Sequence, residues 1–209
     1  MIATVTLNPS LDEWIQLPSF RQGRLNRATG FVRYPGGKGI NVSRVIHELG
    51  GTTKAFALAG GEDGSRLRTL MDRLALPYEC VPVVGSTRNN YKIVTVRPRT
   101  LTEINAAGPA VRPARLTQMK RRILGLRPRP RCVVLSGSLP PNAPASTYRD
   151  WIIALRRRRL PTVLDTSGAA LRAGIAGRPW LIKPNRHEAE EMLRRRLTRL
   201  TVQIQAAHK

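Results

Sequence analysis

Short apolar, β-branched runs punctuate the chain at residues 2–7, 55–59, 81–84, 132–135, 163–164 and 180–182. Between several of them, apolar positions recur at three- and four-residue spacing, over 40–49, 66–74, 116–124, 147–155 and 188–197. The first set predicts strands and the second amphipathic helices. Their alternation predicts βαβ units, hence an α/β fold with a mainly parallel sheet flanked by helices. Ligands of such sheets gather at the carboxyl ends of the strands, which directs attention to the residues that follow each run.

Two regions break this rhythm. Residues 14–34 and 91–105 carry short alternating segments without helical period, among them Tyr91-Lys92-Ile93-Val94-Thr95-Val96 and Leu101-Thr102-Glu103-Ile104-Asn105. They read as antiparallel strands that project from the core and form a small β-sheet lid, with lid segments at about 12–34 and 87–107. No internal repeat or low-complexity linker is present, so residues 1–209 read as one domain with its lid.

Composition narrows the class. An apolar share of 41% over 209 residues supports a sizeable core and excludes a disordered tail protein. The run at 2–7 is too short for a signal peptide, lacks a basic leader and meets Asn8-Pro9. No run approaches the roughly 18 apolar residues of a membrane span, so no membrane partner is expected and the cytoplasm is the expected compartment. Cys80 and Cys132 show neither pairing nor metal spacing and read as reduced, structural thiols.

The formal charge of +23 points first toward nucleic acid. Its distribution points away: arginines are scattered through helices and loops, aromatic residues are only 5% of the chain, and no helix-turn-helix, zinc finger or stacking pattern occurs. No specific nucleic-acid partner is expected, although such a surface would hold polyanions at low salt.

Candidate chemistry lies where strands run into glycine-rich or small polar loops. Gly36-Gly37-Lys38-Gly39 is no Walker A loop, because that motif needs glycine six residues before its lysine and Ser or Thr after it, where Val32 and Gly39 stand. It has no G-x-G-x-x-G fingerprint either. It reads as a turn opening a helix at Ile40, with backbone amides and Lys38 available to an anion or a hydroxyl. His187-Glu188 lacks the second histidine of a zinc motif, and Ser136-Gly137-Ser138 lacks the G-x-S-x-G elbow of a serine hydrolase. Asp12 follows the first strand, where a carboxylate can accept two sugar hydroxyls or simply cap a turn. On the lid strands Asn90 shares a face with Lys92, and Glu103 with Asn105; beside Arg88 they make a cationic, amide-rich surface suited to a sugar phosphate.

Seven motifs in order, Asn8-Pro9-Ser10-Leu11-Asp12, Gly23-Arg24-Leu25-Asn26-Arg27, Pro35-Gly36-Gly37-Lys38-Gly39-Ile40-Asn41-Val42, Thr87-Arg88-Asn89-Asn90, Thr102-Glu103-Ile104-Asn105, Ser136-Gly137-Ser138-Leu139-Pro140 and Lys183-Pro184-Asn185 with Glu188, resemble the ribokinase-like (PfkB-type) carbohydrate kinases. The likeness is to the branch of 1-phosphofructokinase and tagatose-6-phosphate kinase. It implies transfer of the ATP γ-phosphoryl group to a sugar-phosphate hydroxyl, with ATP and Mg2+ as cofactors and a homodimer formed through the lid. By motif position it implies that Asp12, Gly37, Lys38 and Asn41 hold the sugar, and that Arg88 and Asn90, with Lys92 and Arg27, hold its phosphate. Ser136, Gly137 and Ser138 would line the floor, while Lys183 and Asn185 approach the ATP phosphates and Glu188 acts on magnesium through water. Fructose 1-phosphate is the expected acceptor, because Thr102-Glu103-Ile104-Asn105 and Asn26-Arg27 look most like that group; tagatose 6-phosphate and fructose 6-phosphate are the alternatives.

The family pattern continues into a Gly-Ala-Gly-Asp turn that supplies an anion hole and a base, and no such motif occurs in the 209 residues, which end at Lys209 within what reads as a helix. The expectation is therefore a C-terminally truncated kinase domain, inactive or nearly so by itself and poorly soluble, or a sugar-phosphate-binding module without catalysis.

Overall fold

The computed structural model describes residues 1–198. In chain order the strands are β1 (Ile2–Thr6), β2 (Ser10–Leu17), β3 (Gly30–Gly36), β4 (Thr53–Ala59), β5 (Tyr78–Pro82), β6 (Arg88–Thr95), β7 (Thr100–Asn105), β8 (Cys132–Ser136), β9 (Thr162–Asp165) and β10 (Leu181–Ile182). The helices are α1 (Lys38–Glu48), α2 (Gly61–Arg73), α3 (Pro113–Leu124), α4 (Thr147–Arg157), α5 (Gly168–Ile175) and α6 (Arg186–Leu193).

Six strands form the main sheet in the order β10-β9-β8-β1-β4-β5, and all its pairings are parallel. Each apolar run predicted as a strand contributes one of the six. Alternation along β4 shows how three layers form. Phe56 and Leu58 join the core built by Leu116, Met119 and Ile123 of α3, Trp151 and Ile152 of α4 and Leu171 of α5. Ala55, Ala57 and Ala59 face Ile40 of α1 and Leu67 and Met71 of α2, their small side chains allowing those helices to approach closely.

The second sheet has the order β3-β2-β6-β7. β2 pairs with β3, and β6 with β7, in antiparallel fashion, but the central β2–β6 pairing is parallel, with Asp12 opposite Asn90. This corrects the expectation of purely antiparallel projecting strands. The reason is topological: β1 and β5 run parallel in the main sheet, and β2 and β6 follow them in sequence, so both leave the core in the same direction.

Two helices differ from expectation. The segment Gly168–Ile175 is helical although it has two glycines and only eight residues, too short a window for a periodic signal. The helix expected over 188–197 ends at Leu193, because Arg194 takes a left-handed conformation and the backbone N–H of the buried Leu197 turns back to donate to Glu190 Oε1 at 2.7 Å. The expected helical continuation toward Lys209 lies outside the described residues. Among the described residues, no helix is long and apolar enough to cross a membrane.

Candidate active site

The site is built where α1 meets β1. The Thr6 hydroxyl accepts the Ile40 backbone N–H at 3.0 Å, and the Thr4, Ser43 and Thr53 hydroxyls form a buried chain with 2.8 and 2.7 Å links. These contacts press the first turn of α1 onto the strand. A Cβ at Gly39 would lie 2.5 Å from Thr6 Oγ1 and 2.6 Å from the Val5 carbonyl oxygen, so the close approach requires glycine there. Gly37 is the N-cap and makes no side-chain cap, which leaves Lys38 and Asn41 on the opening turn beside the carboxyl ends of β1 and β8.

An open cavity of about 370 Å³ lies here between the two sheets. Asn8, Ser10, Asp12, Arg88, Asn90 and Lys92 line it from β2, β6 and the loops that lead into them, and Glu103 and Asn105 from β7; Gly37, Lys38 and Asn41 line it from the start of α1, and Gly137, Ser138, Thr166 and Ser167 from the loops after β8 and β9. Asp12 is the centre of a buried polar network. Its Oδ1 accepts from Ser10 Oγ at 2.8 Å and Asn90 Nδ2 at 3.4 Å, and its Oδ2 from Lys92 Nζ at 2.9 Å. The Lys92 ammonium also stands 5.0 Å from the centroid of the Trp14 ring, which confines it on its second side.

Arg88 donates to the Ala106 carbonyl at 2.7 Å and the Asn8 carbonyl at 3.0 Å, fixing the guanidinium between the second sheet and the chain that returns to the core. Burial pushes its pKa down and the Asp12 charge opposes that shift. Asn8 ties the loops together, its Nδ2 lying 2.9 Å from Ala107 O and 3.2 Å from Ser138 Oγ. Asn8 Oδ1, Arg88 Nε, Asn90 Oδ1 and Thr166 Oγ1, all on residues of the cavity wall, are buried without a hydrogen-bond partner among the described residues. Buried polar atoms are nearly always paired, so their concentration around one cavity is the pattern of a place that receives a polar ligand.

Of the thirteen residues that the sequence pattern assigns to the sugar side, the cavity brings together eleven: Asp12, Gly37, Lys38, Asn41, Arg88, Asn90, Lys92, Glu103, Asn105, Gly137 and Ser138. Arg27 is exposed in the long connection between β2 and β3 and is not among the lining residues. Ser136 is fully buried below the floor, its hydroxyl donating to Asp165 Oδ2 at 3.0 Å. Lys183 also stands outside the lining, with Nζ 3.3 Å from Asp165 Oδ1, the same oxygen that accepts from Lys38 at 3.3 Å.

Asn185 and Glu188 form a reciprocal capping box at the start of α6. Asn185 Oδ1 accepts the Glu188 N–H and Glu188 Oε2 accepts the Asn185 N–H, both at 2.8 Å. Glu188 is thus buried and fixed, and one of its carboxylate oxygens is committed to the helix end. Sequence reasoning did not single out Asn8, Ser10, Asp165, Thr166 or Ser167 as site residues. Asn8 and Ser10 stand within the quoted Asn-Pro-Ser-Leu-Asp motif, and the others follow the strand at 163–164 in a polar turn that the unrecognised helix α5 had left without context.

The chain is similar in sequence and in fold to known carbohydrate kinases. The family model of pfkB family carbohydrate kinases matches residues 5–209. The 1-phosphofructokinase of Bacillus subtilis is 38% identical over 192 residues, covering 92% of this chain and 62% of that protein. The ATP-dependent 6-phosphofructokinase isozyme 2 of Mycobacterium tuberculosis is 35% identical over 208 residues, which cover 99% of this chain and 61% of the relative. The crystal structure of phosphofructokinase-2 from Escherichia coli in complex with fructose-6-phosphate superposes with a TM-score of 0.92 at 32% identity, covering 99% of this chain and 68% of that one. The chain therefore spans a little over three fifths of the length of the curated relatives it matches. Its sheet order, the cavity between its two sheets and the family match over residues 5–209 together establish that the chain belongs to the pfkB family of carbohydrate kinases.

Proposed function

We propose that the chain carries the acceptor side of an ATP-dependent sugar-phosphate kinase, with fructose 1-phosphate as the acceptor and fructose 1,6-bisphosphate as the product. The observation that carries this reading is the single cavity in which Lys38, Arg88 and Lys92 stand among Asn41, Asn90 and Asn105 with Asp12 at the centre. The cations suit a phosphate, and the carboxylate and amides suit hydroxyls. In this reading Asp12, Gly37, Lys38 and Asn41 hold the sugar, Arg88, Asn90 and Lys92 hold its phosphate, and Gly137 and Ser138 form the floor. The preference for fructose 1-phosphate rests on the Thr102–Asn105 and Asn26-Arg27 motifs and on the name of the Bacillus subtilis relative.

ATP with Mg2+ would supply the phosphoryl group and neutralise charge as it transfers. Lys183, Asn185 and Glu188 are the residues that would hold them. A Glu188 carboxylate committed to the capping box fits a role through water better than direct metal ligation. Exposed apolar residues on the second sheet support a homodimer formed through it.

A second reading is sugar-phosphate binding without turnover, which the acceptor-side cavity would support by itself. Calorimetric titration of the purified chain with fructose 1-phosphate, tagatose 6-phosphate and fructose 6-phosphate, followed by an assay of Mg-ATP-dependent ADP formation, tests both. Saturable binding that favours fructose 1-phosphate is expected. Turnover would select the kinase reading and binding alone the second, whereas folded protein that binds none of the three would overturn both.

A further inference from the structure

Asp165 ends β9, is 5% exposed, and lies opposite Ser136 in the β8–β9 register. Its position is fixed twice over: Ser136 Oγ donates to Oδ2 at 3.0 Å, and the Gly137 N–H donates to the Asp165 carbonyl at 2.8 Å. Two ammonium groups converge on Oδ1, Lys38 Nζ from the first turn of α1 and Lys183 Nζ from the chain after β10, each at 3.3 Å. The lysine side chains are 50% and 61% exposed, so the carboxylate is the fixed member of the trio and the lysines are the adjustable ones.

Long, exposed lysine side chains lose considerable rotamer freedom when they are ordered, and two ammonium groups brought to one anion repel each other. A buried carboxylate between them removes both obstacles. Lys38 donates one N–H to Asp165 and keeps two for a ligand, while Lys183 is held beside the same oxygen as an ion pair. The wall beside the trio is polar, since Thr166 and Ser167 line the cavity and the Thr166 hydroxyl is buried without a partner among the described residues.

We infer that Asp165 is a positioning residue that orders Lys38 and Lys183 so that both ammonium groups engage one phosphate group at the junction of the acceptor cavity and the donor side. This rests on the sugar-phosphate kinase reading given above. A role of Asp165 in merely stiffening the β8–β9 pairing, or in tempering local positive charge, makes different predictions.

The test is a mutant cycle read by calorimetric titration of inorganic pyrophosphate at fixed ionic strength into the wild-type chain, Asp165→Asn, Lys38→Met/Lys183→Met and the triple variant, with melting temperatures measured in parallel. Asp165→Asn is expected to weaken pyrophosphate about tenfold in the wild-type background and less than about twofold where both lysines are gone, because coupled residues are non-additive. Ser136→Ala, which removes the anchor and keeps the charge, is expected to weaken it in the same direction by less, and it serves as the test if Asp165→Asn does not fold. Equal losses in both backgrounds, no loss, tighter binding by Asp165→Asn, or a wild-type chain that does not bind pyrophosphate would each overturn the inference. Titrating fructose 1-phosphate into the same proteins separates the two levels. Pyrophosphate coupling without sugar-phosphate binding would sink the kinase reading and leave the role of Asp165 standing.

Discussion

At the scale of single residues, the cavity depends on charges held close together and on the positive φ angles of Gly37 and Gly137. Asp12 neutralises Lys92, whose side chain is 20% exposed, and opposes the effect of burial on Arg88. Asp12→Asn leaves two half-buried cations facing a neutral amide. We expect a melting temperature lower by several degrees and a sugar-phosphate affinity lower by roughly tenfold, since removing one member of a partly buried pair strands the other; differential scanning fluorimetry and calorimetric titration read the two effects. Gly137 has φ +104°, and a Cβ built there meets nothing closer than the Lys38 Cβ at 3.9 Å. Gly137→Ala therefore strains the backbone without a steric clash, at a cost of roughly 1–2 kcal/mol. The expected result is a melting temperature lower by about 2–8 °C, with sugar-phosphate binding weakened because the cavity floor moves; an unchanged melting temperature would show that the turn relaxes. Both residues were legible beforehand, Asp12 from its place after a strand and Gly137 from its small polar loop. Asp165 was not, because a carboxylate closing a short strand acquires meaning only when Lys38 and Lys183, separated from it by 127 and 18 positions in the chain, converge on it.

At the scale of elements, apolar runs identified all six strands of the main sheet; for the inner strands β1, β4, β8 and β9 the reason is that a parallel strand buried between helices needs an apolar segment, whereas the edge strands β5 and β10 are only partly buried. The second sheet carries polar residues on its cavity face, so its alternation was visible while the direction of β2 relative to β6 was not; that direction is set by the parallel exit of β1 and β5. The edge strand β5 is tied to its neighbours by charge. Glu79 accepts from Lys54 Nζ on β4 at 2.7 Å and from Arg122 Nη1 near the end of α3. Burial raises the pKa of the Glu79 carboxyl, but hydrogen bonds and charge from Lys54 and Arg122 outweigh it and bring the net value below the ordinary one. A carboxylate with a depressed folded pKa contributes stability above its unfolded pKa, near 4.3, and that contribution is lost as pH falls through the folded value. Glu79→Gln should therefore destabilise the chain at pH 7 and make little difference in strongly acidic solution. Urea titrations of both proteins at several pH values check this, and parallel stability curves across the acid range would show that Glu79 contributes nothing through its charge.

At the scale of the whole molecule, the second sheet presents more apolar surface than a monomer needs. Beyond the cavity its polar face continues as Trp14, Val32, Tyr34 and Leu101, since Val32 pairs with Trp14 and Tyr34 with Asp12 in the β2–β3 register; Val32, Tyr34 and Leu101 are exposed. The strand β7 is exposed along its whole length. A second copy of the chain placed on this face would bury the patch and close the open side of the cavity. Opposing this, each copy carries a formal charge of +23, so two copies repel at low ionic strength. The two forces respond differently to salt: screening weakens the repulsion, whereas apolar burial is little affected. Association of the chain is therefore expected to strengthen as salt rises from about 20 to 300 mM, while its nonspecific binding to polyanions, driven by counterion release, weakens over the same range. Sedimentation velocity across that range reads the first trend, and retention on a heparin column reads the second. Val32→Lys/Leu101→Lys should leave the chain monomeric at every salt concentration while the melting temperature changes little, because both side chains are exposed. A chain that remains monomeric at high salt, or a double-lysine variant that associates as readily as the wild type, would show that this face is not where two copies meet.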